Sequence, residues 1–266
     1  STFIQVDGDN YQATIPGGDV TSSGLIALIA ARDFLMQETF TDTADIQVEY
    51  NGISLGSTSA ETYRMISIPG YIYDGDPSAH FEDDLGSYDA SVWRMFKWNG
   101  TDYSEYHFGN IQIGQAFWII TRDPASLTSA EGASIEMLSS SPINLISGWN
   151  MVANPYNFSL SFSDLQDNNA DIEPVLYRYT GSGYTTTNSF VPGDGVWIYA
   201  HNPTTIIFDP LGSGSMSRTT AEELTWHGSV KATSGDLTDT ENVFGAHVGA
   251  SSSWDALDRH EPPVIG

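Results

Sequence analysis

The chain has 266 residues, 40% of them hydrophobic and 12% aromatic, enough to pack a core rather than stay disordered. Its 34 acidic residues against 9 basic ones leave a formal net charge of -25. That balance excludes nucleic acid and anionic lipid surfaces as partners, because binding to either depends on Lys and Arg. Cysteine is absent, which removes disulfides, thiolate metal sites and a cysteine nucleophile together. No stretch approaches the roughly 18 apolar residues of a membrane span, so no membrane insertion is expected. The acidity itself has two readings. One is a solvated surface that stays soluble in salt, in keeping with lysine confined to Lys97 and Lys231. The other is affinity for hard cations, which take carboxylate and carbonyl oxygens.

In chain order, Tyr11-Gln12-Ala13-Thr14-Ile15-Pro16 alternates and stops at proline, the pattern of an edge strand. Gly17-Gly18-Asp19 is turn chemistry. Leu25 to Ala31 is read as a strand, against a helical alternative over 24–37 that its Leu, Ala, Arg and Met favour. Ile46-Gln47-Val48-Glu49-Tyr50 alternates as a further strand. Residues 51–62 are small and polar, and are read as a linker.

From Tyr63 one pattern occurs twice. Tyr63-Arg64-Met65-Ile66-Ser67-Ile68-Pro69 is answered by Trp149-Asn150-Met151-Val152-Ala153-Asn154-Pro155. Arg94 to Tyr103, with the turn Asn99-Gly100, is answered by Val175 to Tyr184, with the turn Gly181-Ser182-Gly183. Gly114-Gln115-Ala116-Phe117-Trp118-Ile119 is answered by Gly193-Asp194-Gly195-Val196-Trp197-Ile198. Three landmarks in register, about 80 residues apart, predict a duplicated β-module. Copy one spans 63–136 and copy two 137–211. Each copy holds an acidic insertion, Asp74 to Gly86 and Asp164 to Asp171, and in these Phe81–Leu85 and Phe162–Leu165 suit one helical turn each. Residues 212–220, rich in Gly, Ser and Thr, read as a second linker, and a fresh alternating run follows from Leu224 through Val230.

Two sets of segments carry a family likeness. Tyr11-x-Ala13-x-Ile15-Pro16-Gly17, Val20-Thr21-x-x-Gly24-Leu25 and Ala31-x-Asp33 resemble the second half of immunoglobulin-like or fibronectin-III-like modules of exported bacterial proteins. Asp83-Asp84-Leu85-Gly86-x-Tyr88-Asp89, Trp93-Arg94-x-Phe96-x-Trp98, Gly148-Trp149-Asn150-Met151-Val152-x-Asn154-Pro155 and Asp255-x-x-Asp258-x-x-Glu261-Pro262-Pro263 are similar to stretches of large multidomain exported proteins of environmental bacteria. Such stretches often precede a C-terminal sorting domain. The likeness implies secretion to the extracellular space or cell surface, with β-sandwich modules, and transfers no catalytic residue. It also implies that residues 1–52 are the C-terminal part of one sandwich and 221–266 the start of another.

No catalytic constellation emerges. Gly52-Ile53-Ser54-Leu55-Gly56 matches a nucleophile elbow, but that motif requires a strand before it and a helix after it. The histidines His80, His107, His201, His227, His247 and His260 are scattered singly and read as polar loop or strand-surface residues. Carboxylates are too many to single out an acid–base pair. Calcium is the expected ligand, since Asp and Asn at one- or two-residue spacing in loops supply the oxygens it needs. The first candidates are Asp236, Asp239, Glu241 and Asn242, together with Asp255 and Asp258. Trp118 and Trp197 sit in apolar runs and are expected in the core, whereas Trp98 and Tyr103 flank a hairpin turn and are the candidates for sugar stacking.

The sequence therefore predicts an all-β protein of tandem β-sandwich modules with an internal duplication. Its expected role is non-enzymatic, a structural or adhesive segment of a larger cell-surface, extracellular or filament-forming protein. Expected partners are copies of itself through strand addition, other surface proteins, or glycans. The alternative is a carbohydrate-binding or accessory segment of a secreted hydrolase.

Overall fold

The computed structural model describes residues 4–7, 10–32, 36–40, 43–166, 171–211, 226–234, 237–251 and 258–265. Over them the chain is all-β, a series of antiparallel sheets with one α-helix among the described residues.

Two four-stranded sheets organise the molecule. The first holds β1 (Arg64–Ser67), β2 (Trp93–Trp98), β3 (Tyr103–Glu105) and β4 (Ala116–Thr121), in the order β1-β4-β2-β3. The second holds β5 (Gly148–Ala153), β6 (Leu176–Tyr179), β7 (Tyr184–Thr187) and β8 (Gly195–Ala200), in the order β5-β8-β6-β7. The two orders are the same. Register matches as well. Trp118 on β4 lies between Met65 and Phe96, and Trp197 on β8 lies between Met151 and Tyr177.

The apolar runs in these strands follow from what lies on either side. Successive side chains of a strand point to opposite faces. On β4, Phe117 and Ile119 enter a core with Ile66, Phe81, Trp93 and Met95, while Ala116 and Trp118 enter a different one. On β8, Val196, Ile198 and Ala200 join a third core with Leu176, Phe190, Ile206 and Phe208, while Trp197 shares the core of Trp118. Each sheet thus has its own core on one face and the other sheet on the opposite face. Burial on both sides accounts for Ala-Phe-Trp-Ile-Ile and Val-Trp-Ile-Tyr losing their alternation.

Several local expectations shift. The small, polar stretch 51–62 contains the strand Ser54–Ser57, paired with Ser126–Thr128, and buries Ile53, Leu55 and Thr58. Ile53 and Leu55 alternate into the first core, and the alternation breaks at exposed Ser57 before Thr58 is buried, so the apolar period is too short to read in the sequence. Leu25 to Ala31 divides into Leu25–Ala27, paired with Ala44–Ile46, and Ala30–Arg32, paired with Glu38–Phe40. Leu28 and Ile29 between them are exposed. The first acidic insertion forms a longer helix than one turn, α1 (Pro77–Leu85). Asp76 is its N-cap, accepting from Ser78 N, and Pro77 starts it with the backbone angle a helix requires. Phe162–Asp164 forms the expected turn as a 3-10 helix. Near the C-terminus, β9 (Trp226–Ser234) and β10 (Leu237–Ala246) make a hairpin.

Candidate functional site: the face between the two sheets

The contact between the sheets is reciprocal. Trp118 meets Tyr179 of the second sheet edge-on, at 5.0 Å between ring centroids and 87°. Trp197 meets Trp98 of the first sheet edge-on, at 5.6 Å and 87°. Each of those partners is backed by a tyrosine, Tyr184 behind Tyr179 at 5.3 Å and Tyr103 behind Trp98 at 5.0 Å. Edge-to-face pairs of this kind add about 0.5–1.5 kcal/mol each to the burial they accompany. Backbone contacts repeat the exchange: Ser67 N donates to Gly193 O at 3.1 Å, and Ala153 N donates to Gly114 O at 3.0 Å.

The sheets approach closely at Gly195. A Cβ built there would lie 2.4 Å from Ala116 Cβ and 2.6 Å from Met65 Cγ of the other sheet. Ala116 is the residue that answers Gly195 in the repeated sequence, so the sheets touch through their smallest paired positions.

A C-terminal segment lies against this face. Tyr103 and Tyr184 both donate their hydroxyls to Pro263 O, at 3.3 and 2.6 Å. Ile265 packs on the aromatic core, and Pro262 is buried. His260 stacks on Tyr199 at 3.6 Å and 10°, and its Nδ1 lies 2.6 Å from Glu173 Oε1. Glu173 is only 2% exposed, so His260 supplies a partner to a carboxylate that burial would otherwise penalise. Burial pushes the Tyr103 hydroxyl up to about 12. Tyr177 rises to about 12 for the same reason, with the charge of Glu173 adding to the effect.

On one side of the contact a cavity of about 250 Å³ opens between the sheets. Arg64, Arg178 and Asp194 line it, with Ser57, Ser59 and Thr62. The rings of Tyr63 and Tyr179 complete the wall. Arg64 donates to Asp194 Oδ1 at 3.1 Å, which fixes its guanidinium. Arg178 Nε is buried without a hydrogen-bond partner, a state that costs on the order of 1–3 kcal/mol for a buried donor. At the two turn glycines the surroundings differ: a Cβ on Gly100 would meet Ile146 Cδ1 at 2.4 Å, and one on Gly181, which lines the cavity, a Thr62 methyl at 3.1 Å.

The residues singled out in the sequence are distributed as follows. Trp98 and Tyr103 come together at the contact between the sheets and are partly buried there. Trp98 Nε1 donates to Trp149 O at 2.9 Å, so the polar ends of both side chains are engaged within the chain. Trp118 and Trp197 are fully buried. Of the calcium candidates, Asp236 and Asp255 lie outside the described residues. Asp239, Glu241 and Asn242 belong to strand β10 rather than to a loop, and Asp258 is exposed at the start of the C-terminal segment. Among the described residues no group of three or more His, Asp or Glu is placed to hold a metal ion.

Other acidic pairs have local roles. Asp74 Oδ1 accepts from Asp76 N, and Asp76 Oδ1 from Ser78 N, which is turn and cap chemistry. Ser54 of the Gly-x-Ser-x-Gly match stands on an exposed strand position and accepts from Gly56 N at 3.3 Å. His80, expected in a polar loop or on a strand surface, is instead buried on α1. Its Nδ1 accepts from Ala130 N at 3.0 Å and its Nε2 lies 2.6 Å from Asp74 O, which defines a neutral ring protonated on Nε2.

Glu173, His260 and Arg178 were not marked by sequence reasoning. The signal available was the position of Glu173, alone in the apolar run Ile172-Glu173-Pro174-Val175. No protein family, no curated protein and no solved structure matches this chain.

Proposed function

We propose that the chain is a non-enzymatic, exported structural or adhesive segment of a larger cell-surface, extracellular or filament-forming protein, built on a duplicated β-module. The observation that carries this reading is the reciprocal contact between the sheets. Its aromatic side chains are spent on locking two like modules into one unit, the arrangement a spacer or load-bearing segment requires. The acidic surface adds solubility outside the cell. The likeness of residues 60–266 to segments of exported multidomain proteins points the same way. Intact mass spectrometry with negative-stain imaging of the native material tests the reading. A filament of repeating subunits, or a covalently longer surface protein, is the expected result. A compact, free monomer of this chain's own mass would overturn it.

A second reading, carbohydrate binding, draws on a different observation. The cavity beside Arg178 combines hydroxyl side chains, tyrosine rings and guanidinium groups, the side-chain types that meet a sugar's hydroxyls, its ring face and an acidic substituent.

A further inference from the structure

We infer that the cavity between the two sheets is a binding site for an acidic sugar, a uronate whose carboxylate is held by Arg178. The inference rests on the carbohydrate-binding reading above and names the ligand class for it.

The chain has 9 basic residues among 266, and two of them line one cavity. A second cavity of about 260 Å³ also has two arginines, Arg94 and Arg122. There both guanidiniums are answered: Arg94 grips Glu105 at 2.6 and 2.9 Å, and Arg122 lies 3.1 Å from Asp123. In the cavity between the sheets Asp194 answers Arg64, whereas Arg178 lines the cavity with no ion-pair partner among the described residues; its Nε is sealed from solvent, so a ligand meets its terminal nitrogens. A planar guanidinium presents a fork of donors that matches a carboxylate in two places, so a carboxylate is the group that satisfies Arg178 best.

The rest of the wall decides what bears that carboxylate. Ser57, Ser59 and Thr62 line it with hydroxyls suited to a polyol; Ser57 Oγ pairs with Ser126 Oγ and Thr62 donates to Ala60 O, and each keeps capacity to accept. Tyr63 and Tyr179 also line the cavity, their rings held by Trp118 of the aromatic core. The volume of about 250 Å³ falls below the roughly 300–1,000 Å³ of drug-sized pockets, which fits one sugar unit rather than a peptide segment.

The test is titration calorimetry on the intact chain with glucuronate, galacturonate, a tetra-galacturonate, glucose, galactose and acetate. The expected result is binding of a uronate, as monomer or as the end unit of the oligomer, at least about tenfold tighter than its neutral sugar or acetate. Arg178→Gln is expected to weaken it by about tenfold or more, and Arg178→Lys, which keeps charge but loses the fork, to weaken it less. Arg122→Gln should leave it unchanged. Should Arg178→Gln fail to fold, the lysine variant and the acetate comparison decide. Equal binding of glucose and glucuronate would overturn the acidic-sugar assignment while leaving carbohydrate binding standing. Equal binding of acetate would reduce the site to a simple anion site and overturn the assignment, and no binding of any sugar would overturn both.

Discussion

Tyr103 and Tyr184 share one acceptor, the carbonyl oxygen of Pro263. Each tyrosine is the first residue of the third strand in its sheet, so one C-terminal carbonyl ties together like positions of two like sheets. Removing both hydroxyls as Tyr103→Phe with Tyr184→Phe leaves the rings packed, frees that carbonyl, and takes from Trp197 Nε1 the Tyr184 hydroxyl that accepts from it at 3.2 Å. The expected cost is about 0.5–1.5 kcal/mol per hydrogen bond. Amide exchange over 258–265 should rise, with exchange in β4 little changed and any rise in β8 traceable to Tyr184→Phe alone, through Trp197. Unaltered exchange in that segment would show that the hydroxyls do not hold it.

The reciprocal tryptophans give a second prediction. Trp118→Ala and Trp197→Ala each empty a fully buried site, at a cost of about 3–5 kcal/mol. Trp197 Nε1 donates to the Tyr184 hydroxyl at 3.2 Å while Trp118 Nε1 is buried without a partner, so Trp197→Ala should cost more, by about 1 kcal/mol for the hydrogen bond, and because both rings belong to one core the double variant should depart from the sum of the two. Urea titration of the three variants measures this.

Gly195 gives a third. Its φ needs no glycine, so Gly195→Ala is a test of space alone. The new methyl meets Ala116 and Met65, and overpacking at such a contact costs about 1–3 kcal/mol. Pairing it with Ala116→Gly should recover part of the loss. If Gly195→Ala is neutral, the sheets do not approach as closely as described.

A fourth concerns pH. Burial holds His80 below the usual histidine value, so the unfolded chain binds a proton at His80 more readily than the folded one. Stability from the neutral ring is full above pH 6.5, the unfolded value, and falls as pH drops below it. Asp76, held below the usual carboxylate value chiefly by its hydrogen bond from Ser78 N, acts in a lower window, losing its contribution as pH falls below 3.8. Between pH 7 and 5 the melting temperature of the native chain should therefore fall. His80→Gln should be less stable at pH 7 and flatter across that range.

The strands were legible wherever alternation or a both-sided apolar run reached the surface of the sequence, as in Arg64–Ser67, Trp93–Trp98 and Gly195–Ala200. The same repeated landmarks fall on strands of identical order in the two sheets. What stayed hidden depended on partners remote in sequence. Leu55 buries among polar neighbours because Leu127 and its strand lie opposite. Residues 51–62 therefore have the composition of a linker and the packing of a strand. Trp98 flanks a turn, which suggested exposure, but Trp197, about 100 residues away, covers it. His80 looks like one more polar loop residue until Ala130 and Asp74 close on it. The cavity was legible in no single segment, since Arg64 and Arg178 meet only when the two sheets dock.

The docking of the sheets into one unit is best tested by native-state hydrogen exchange on Trp197→Ala, comparing β8, which carries the substitution, with β4 in the other sheet. If the sheets are one cooperative body, the amides of Ala116–Thr121 and Gly195–Ala200 should lose protection together and to a similar degree. Loss confined to Gly195–Ala200, with Ala116–Thr121 as protected as in the native chain, would mean that the modules fold and open independently and would contradict the account.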